Sequence, residues 1–276
     1  MRKYLQFKKE FEAIEDIKKT LKTFEKISSA KIPSLKEKTK TLFSFLEKME
    51  KVISRLFQFF LPKNHWAINS SNEGKSLLLI FGADKGLCGD FHHLVINALL
   101  EKKSFYDIFW IIGKKTEKSL KEEGIFAKET FSLEENLEEI FKKIIFLFKS
   151  QKFKRVDFLF LKYFSFFRRE PCFLEFLPLS FEKKEGAGSS IFEPSPKEIF
   201  EFLLEEKLKA TFLKVSLNSR LSEETLRVLT LEHSFKETEK ILSKMMYNYF
   251  KQRRKEISLE QMGSFLSHKI ICQKKE

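Results

Sequence analysis

Glu193-Pro194-Ser195-Pro196-Lys197-Glu198 opens the stretch that decides the fold, because neither glycine nor proline interrupts the chain from Lys197 to Met262. Ser195 stands where a helix cap belongs, Pro196 at the first helical position, and Glu198 supplies an acid in the first turn. Apolar residues then return at helical spacing: Leu204, Leu208, Phe212 and Val215, and later Leu226, Leu229, Leu242, Met245 and Tyr249. The stripe thins between His233 and Lys240. As one helix the run would extend about 100 Å at about 1.5 Å per residue. The opposite end of the chain has the same character. Phe7, Phe11, Ile14, Ile17, Leu21, Phe24 and Ile27 step by four or three, and Leu42, Phe45, Met49, Val52, Leu56 and Phe60 continue the series. Pro33 lies between the two series and predicts a break or kink near Ile32–Ser34, with Ser34-Leu35-Lys36-Glu37 read as a capping box for the restart.

Two long amphipathic helices with narrow stripes bury those stripes best against each other, as a coiled coil. They stand at opposite ends of the chain, so the middle must be an insertion. Three segments follow: a long helix over 1–63, an α/β domain over 64–190 and a second long helix over 191–276. Eight of the nine glycines lie between Gly74 and Gly188. In that middle, Leu77–Phe81, Ile108–Gly113 and Val156–Tyr163 read as strands and Phe173–Pro178 as a fourth. Helices are expected over Phe91–Lys103, after Gly113 to about Glu123, and over Leu133–Phe148. Strand–helix alternation implies a mostly parallel sheet. Lys183–Ser190 reads as a flexible link.

The chain has 276 residues, 42% hydrophobic and 33% charged, which excludes collagenous and disordered classes. Phe is unusually frequent at 33 residues. Cys88, Cys172 and Cys272 are too few and too scattered for a disulfide framework or a metal cluster, which fits a reducing compartment. No uncharged apolar run approaches the roughly 18 residues of a membrane span, and charge arrives too early for a secretory signal, so a soluble intracellular chain is expected. The net charge of +13 is uneven: +8 over residues 1–63, +1 over 64–196 and +4 over 197–276. A basic excess at the two ends asks for an acidic partner.

The candidate chemistry is sparse. Gly82-Ala83-Asp84-Lys85-Gly86-Leu87-Cys88-Gly89 follows the first strand, where a phosphate loop would sit. A Walker loop ends in Gly-Lys-Ser/Thr, and here Asp90 follows Gly89; the spacing of Gly82 and Gly86 also misses the dinucleotide fingerprint. The loop therefore reads as a structural turn, with no cofactor expected. His92 and His93 are adjacent and diverge on a helix, so no metal site is expected. Cys88 lacks a catalytic cysteine motif. Glu134-Glu135 and Glu138-Glu139 read as a solvated helix face. Arg253-Arg254-Lys255 is a basic cluster that admits nucleic acid, but acids alternate with the cations along both ends and no nucleic-acid motif accompanies it.

In order along the chain, these segments resemble the gamma subunit family of the F-type ATP synthase. Asp84-Lys85-Gly86-Leu87-Cys88-Gly89 is similar to its Asp-Arg-Gly-Leu-Cys-Gly, and Ile112-Gly113-Lys114-Lys115 to its second-strand Gly-Lys/Arg-Lys. Val156-Asp157, Tyr163, Leu177-Pro178-Leu179 and Phe192-Glu193-Pro194-Ser195 continue the series. Ser222-Glu223 with Arg227 resembles Ser-Glu-x-x-x-Arg, and Arg253, Ile257, Ser258 and Glu260 resemble Arg-Gln-x-x-Ile-Thr-x-Glu. Phe24–Lys31 is similar to Met-x-Met-Val-Ala-Ala-x-Lys. Arg254 stands where the family has Gln, and Phe250 where it has Asn.

The resemblance implies an antiparallel coiled coil of the N- and C-terminal helices with an inserted Rossmann-like α/β domain. It implies a non-catalytic rotor that couples ion flow to ATP synthesis or hydrolysis by rotating inside a ring of alpha and beta subunits. The α/β domain would meet the epsilon subunit and the membrane-sector c-ring. Membrane contact would come only through the complex, at the cytoplasmic face of the bacterial plasma membrane, with no nucleic acid. Arg253, Arg254 and Ser258 would touch the beta subunits at a catch, and Phe24 and Arg227 would lie where contact with beta couples transport to catalysis. Two other classes compete: a basic coiled-coil nucleic-acid-binding protein, and a small α/β enzyme using Cys88.

Overall fold

The structure is a computed structural model and describes residues 3–59, 65–68, 74–132, 135–179 and 193–273. Helix α1 spans Lys3–Phe59 and helix α5 spans Pro196–Gln273. Between them lie strands β1 (Lys75–Phe81), β2 (Ile108–Ile112), β3 (Glu129–Phe131), β4 (Phe153–Tyr163) and β5 (Arg169–Leu177). Helices α2 (Phe91–Lys102), α3 (Lys114–Glu122) and α4 (Leu137–Lys149) connect them. The chain divides into two compact units, Ser28–Val228 on the one hand and Met1–Ile27 with Leu229–Glu276 on the other.

The larger unit is built on one sheet, in the order β3-β2-β1-β4-β5. Its first four strands are parallel, and β5 returns antiparallel beside β4. The central strands are apolar on both faces because both are covered, as parallel sheets require. Leu77, Leu79 and Phe81 of β1, with Val156, Phe158 and Phe160 of β4, face α4 and α5. Leu78, Ile80, Leu159 and Leu161 face α2 and its neighbours. The abundance of Phe has a structural use here. Phe81, Phe158 and Phe212 meet edge to face at 5.5–5.7 Å, and Phe158 stacks on Phe176 at 4.3 Å. Each such pair adds about 0.5–1.5 kcal/mol beyond burial. Phe200, Leu204, Leu208, Phe212 and Val215 therefore seat α5 on the sheet.

Past Val215 polar residues join the buried face of α5, among them Ser216, Ser219, Ser222 and Thr225. Ser219 Oγ donates to the Phe81 carbonyl and Ser222 Oγ to the Leu161 carbonyl, each at 2.9 Å. Both carbonyls lie near the carboxyl ends of β1 and β4, where the ladder runs out of donors. At its start, α5 is capped as its sequence suggests: Ser195 Oγ accepts the Glu198 N–H at 3.3 Å.

Alpha1 corrects one expectation. The helix runs through Pro33 without a break, so Ser34–Glu37 is helix interior and not a capping box. A proline there removes one hydrogen bond and crowds a carbonyl, at about 3 kcal/mol. Packing on both sides outweighs it: Ile32 is buried against Leu221 and Val228, and Leu35 joins the same cluster. The buried face also differs from the expected stripe. In the larger unit it is Leu46, Met49, Ile53 and Leu56, while Phe45 and Val52 are exposed. Phe60 and the Lys183–Ser190 link lie outside the described residues.

In the smaller unit, the half-buried face of α1 is Phe7, Phe11, Ile14, Lys18, Leu21 and Glu25. Ile17, Phe24 and Ile27 lie off that face, exposed. Lys18 pairs with Glu239 at 2.8 Å, and both Lys18 and Lys22 lie over the Phe235 ring. Lys22 feels Glu232, so rising numbers on α1 meet falling numbers on α5 and the pairing is antiparallel. The larger unit repeats the sense, with Lys31 to Glu224 and Glu50 to Lys207.

Candidate functional site at the loop after the first strand

The loop after β1 is pinned from several directions. Gly82 N–H donates to the Ile112 carbonyl at 2.7 Å. A Cβ on Gly82 would fall 2.4 Å from Thr116 Oγ1, so only glycine lets β1 pass α3 this closely. Gly113 has φ +127°, and a Cβ there would fall 2.6 Å from the Ala83 nitrogen. The Asp84 carboxylate accepts the Lys114 N–H at 2.8 Å and the Ser132 hydroxyl at 3.0 Å. It thereby fills the N-terminus of α3, where a phosphate loop would leave its amides open. Leu87 holds φ +61° with its side chain half exposed, an unusual conformation for a non-glycine residue.

Cys88 is buried, with Sγ 3.2 Å from His92 Nε2. His92 Nδ1 meets Thr116 Oγ1 at 3.0 Å, and Thr116 Oγ1 accepts the Ala83 N–H at 2.8 Å. Burial, helped by the Glu223 carboxylate, pushes the Cys88 thiol up to about 11. Burial, helped by Lys115, holds His92 below the usual imidazole range. At neutral pH the pair is a neutral thiol beside a neutral imidazole. A thiolate nucleophile calls for surroundings that lower the thiol, and burial at Cys88 does the opposite.

Arg227 closes the site from α5. It is buried, and Nε donates to the Gly86 carbonyl at 3.3 Å. Its guanidinium pairs with Glu223 one turn earlier and with Glu224 at 2.9 Å; Glu224 in turn takes Lys31 of α1 at 2.8 Å. Burial raises the Glu223 carboxyl despite Arg227. Burial also opposes ionisation of Glu224, but Lys31 and Arg227 together hold its carboxyl below the usual range. Two cations and two carboxylates thus join α1, α5 and the loop beside a cleft of about 340 Å³.

The structure brings Asp84, Lys85, Gly86, Leu87, Cys88 and Gly89 together with Arg227. Phe24, Arg253, Arg254 and Ser258 belong to the smaller unit and are exposed. Arg227, grouped with Phe24 in the sequence, makes its hydrogen bonds within the larger unit. Sequence reasoning missed Lys31, His92, Thr116 and Glu224 as members. The i, i+4 spacing of Glu223 and Arg227 was the available signal. Among the described residues, no group of His, Cys, Asp and Glu is arranged to hold a metal ion, and no helix is long and apolar enough to cross a membrane.

Residues 4–262 match the family model described as ATP synthase. The chain belongs to the ATP synthase family. The ATP synthase gamma chain of Clostridium kluyveri is 23% identical over 264 residues, covering 92% of this chain and 93% of that one. The gamma chain of Mycoplasma mobile is 24% identical over 246 residues, covering 83% and 85%. Among solved structures, a chain of the Euglena gracilis mitochondrial ATP synthase, OSCP/F1/c-ring in rotational state 3, superposes with a TM-score of 0.69. Its identity is 13%, over 99% of this chain and 96% of that one. A chain of the Euglena rotor in rotational state 1 gives 0.63 at 14% identity, over 92% and 99%. At these identities the structural likeness speaks to the family member's fold: paired long helices with an α/β insertion.

Proposed function

We propose that the chain is the central-stalk gamma subunit of an F-type ATP synthase, a rotor without a catalytic site of its own. The observation that carries this is the ordered match along nearly the whole chain to gamma chains, on antiparallel long helices that leave Ile17, Phe24, Ile27, Ile241, Phe250 and Ile257 exposed. Large apolar side chains spaced along a helix pair call for an enclosing partner. That partner is the ring of alpha and beta subunits. Phe24, Arg253, Arg254 and Ser258 face the beta subunits, and Arg227 contributes by fastening the Asp84–Gly89 loop. The larger unit meets epsilon and the c-ring, which places the chain at the cytoplasmic face of the bacterial plasma membrane through the complex. An asymmetric shaft favours a different conformation of each beta subunit at each angle. Rotation therefore shifts conformational populations and releases product.

The test is reconstitution. The chain, added to alpha and beta subunits of its own organism, should give a complex whose ATP hydrolysis drives rotation of a bead on the larger unit. In membrane vesicles lacking gamma it should restore ion-driven ATP synthesis, and Arg253→Ala should lower that synthesis while the subunit stays folded. Failure to assemble with alpha and beta would end the proposal. Binding to nucleic acid that collapses with salt would support the competing basic coiled coil.

A further inference from the structure

A second cleft, of about 460 Å³, opens at the edge of the sheet, where β5 has a strand neighbour on one side only. Its walls are Phe43 and Leu46 of α1, Cys172 and Leu174 of β5, and Leu208 and Val215 of α5, all within the larger unit. Phe43 and Leu46 are three apart, and Leu208 and Val215 two helical turns apart, so each helix gives the cleft one apolar stripe. Cys172 and Leu174 alternate along β5 and share a face with Phe176. Phe176 is fully covered, whereas Cys172 and Leu174 are half-buried and Phe43 is exposed. A volume of this size with apolar walls on two helices and a strand belongs to the class of small-molecule sites.

Charge decides what kind of molecule suits it. Lys207 reaches Glu50 at 3.5 Å, and Glu175 is taken by Arg155 at 2.8 Å. Lys214 is different. It is half-buried with Nζ over the Phe43 ring at 4.6 Å, and among the described residues no carboxylate forms an ion pair with it. Glu50 and Glu47 attract it only through space, Lys162 repels it, and burial holds its amine below the usual lysine range. Lys162 lines the same cleft, with its ammonium 5.0 Å from the Phe164 ring. The rings offset part of the cost of holding two ammonium groups beside apolar walls. A counter-ion in the cleft would offset more of it. The cleft thus presents cations at one point of an apolar trough, and its walls stand on regular elements that need little ordering to receive a ligand.

We propose that this cleft binds a free amphipathic carboxylate, whose apolar chain lies along Phe43, Leu174 and Val215 and whose head pairs with Lys214 beside Lys162. The experiment titrates the full chain with decanoate below its micelle concentration. Binding is followed by calorimetry, and Cys172 by labelling with a thiol reagent and peptide mapping. Because Cys172 stands in the wall, its labelling should slow about tenfold at ten times the Kd. Decanol and decyltrimethylammonium, which share the tail, should bind about tenfold more weakly, and Lys214→Met should lose about tenfold in decanoate affinity while Lys214→Arg keeps most of it. Equal binding of decanol would overturn the proposal, since the cleft would then select the tail alone. Equal binding of the cation would overturn it in favour of the acids on the rim. Decanoate that binds without slowing Cys172, or with unchanged affinity for Lys214→Met, sits elsewhere and overturns it as well. If Lys214→Met does not fold, the wild-type comparison of the three tail-matched probes and the Cys172 protection decide. None of these readouts needs the alpha–beta ring, so the stalk proposal stands or falls separately.

Discussion

Replacing Arg227 with alanine isolates the ion cluster. Glu223 is 5% exposed and faces Arg227 from one turn away, so the variant leaves a carboxylate buried with its nearest cation gone. Removing one partner of a buried pair costs about 3–5 kcal/mol. Glu224 keeps Lys31 and limits the damage, and Gly86 loses the bond that ties the loop to α5. We expect a loss of about 3 kcal/mol in denaturant unfolding of the full chain, and faster hydrogen exchange over Lys85–Gly89. The pH dependence has a definite sign. Burial raises the Glu223 carboxyl above its unfolded value, so its protonated form is the one the fold prefers. Stability from that preference is present below the unfolded carboxylate range and is lost as pH rises through the raised folded value. Without Arg227 the raise grows, so Arg227→Ala should be less damaging at pH 5 than at pH 8. Adding Glu223→Gln should flatten that slope and recover part of the loss. A loss below about 1 kcal/mol, with loop exchange unchanged, would refute the reasoning: the cluster would then be a solvated surface pair.

Other outcomes follow from single contacts. Gly113→Ala must place a Cβ 2.6 Å from the Ala83 nitrogen at φ +127°, and should lower stability by about 2–4 kcal/mol in thermal unfolding, whereas Gly86→Ala meets nothing within 4 Å and should stay within about 0.5 kcal/mol. Pro33→Ala restores a hydrogen bond inside a continuous helix at an exposed position, and should stabilise by about 1–2 kcal/mol after the unfolded-state penalty; a drop in melting temperature would mean that the helix is shaped by the proline. With its thiol up at about 11, Cys88 should resist a thiol reagent at pH 7 in the folded chain and react only after denaturation, with half-exposed Cys172 labelled first; early labelling of Cys88 would contradict its burial.

The amino-acid sequence alone determined two long helices at the chain ends and an inserted parallel sheet, because helical spacing and the placing of glycine and proline are local properties. Strand and helix positions in the middle were legible for the same reason, down to the Ser195 cap. The short β3 was not, since three residues carry no period, and the antiparallel return of β5 depends on its pairing with β4. Tertiary structure alone decided which face of α1 is buried. A stripe of period near 3.6 leaves several faces open, and the partner helix chose Lys18 and Glu25 over Ile17 and Phe24. It also carried the helix through Pro33, where packing of Ile32 and Leu35 outweighs a local penalty. The ion cluster belongs to the same class: Gly86 and Arg227 are 141 residues apart and Lys31 and Glu224 are 193 apart, so only the folded chain makes them neighbours.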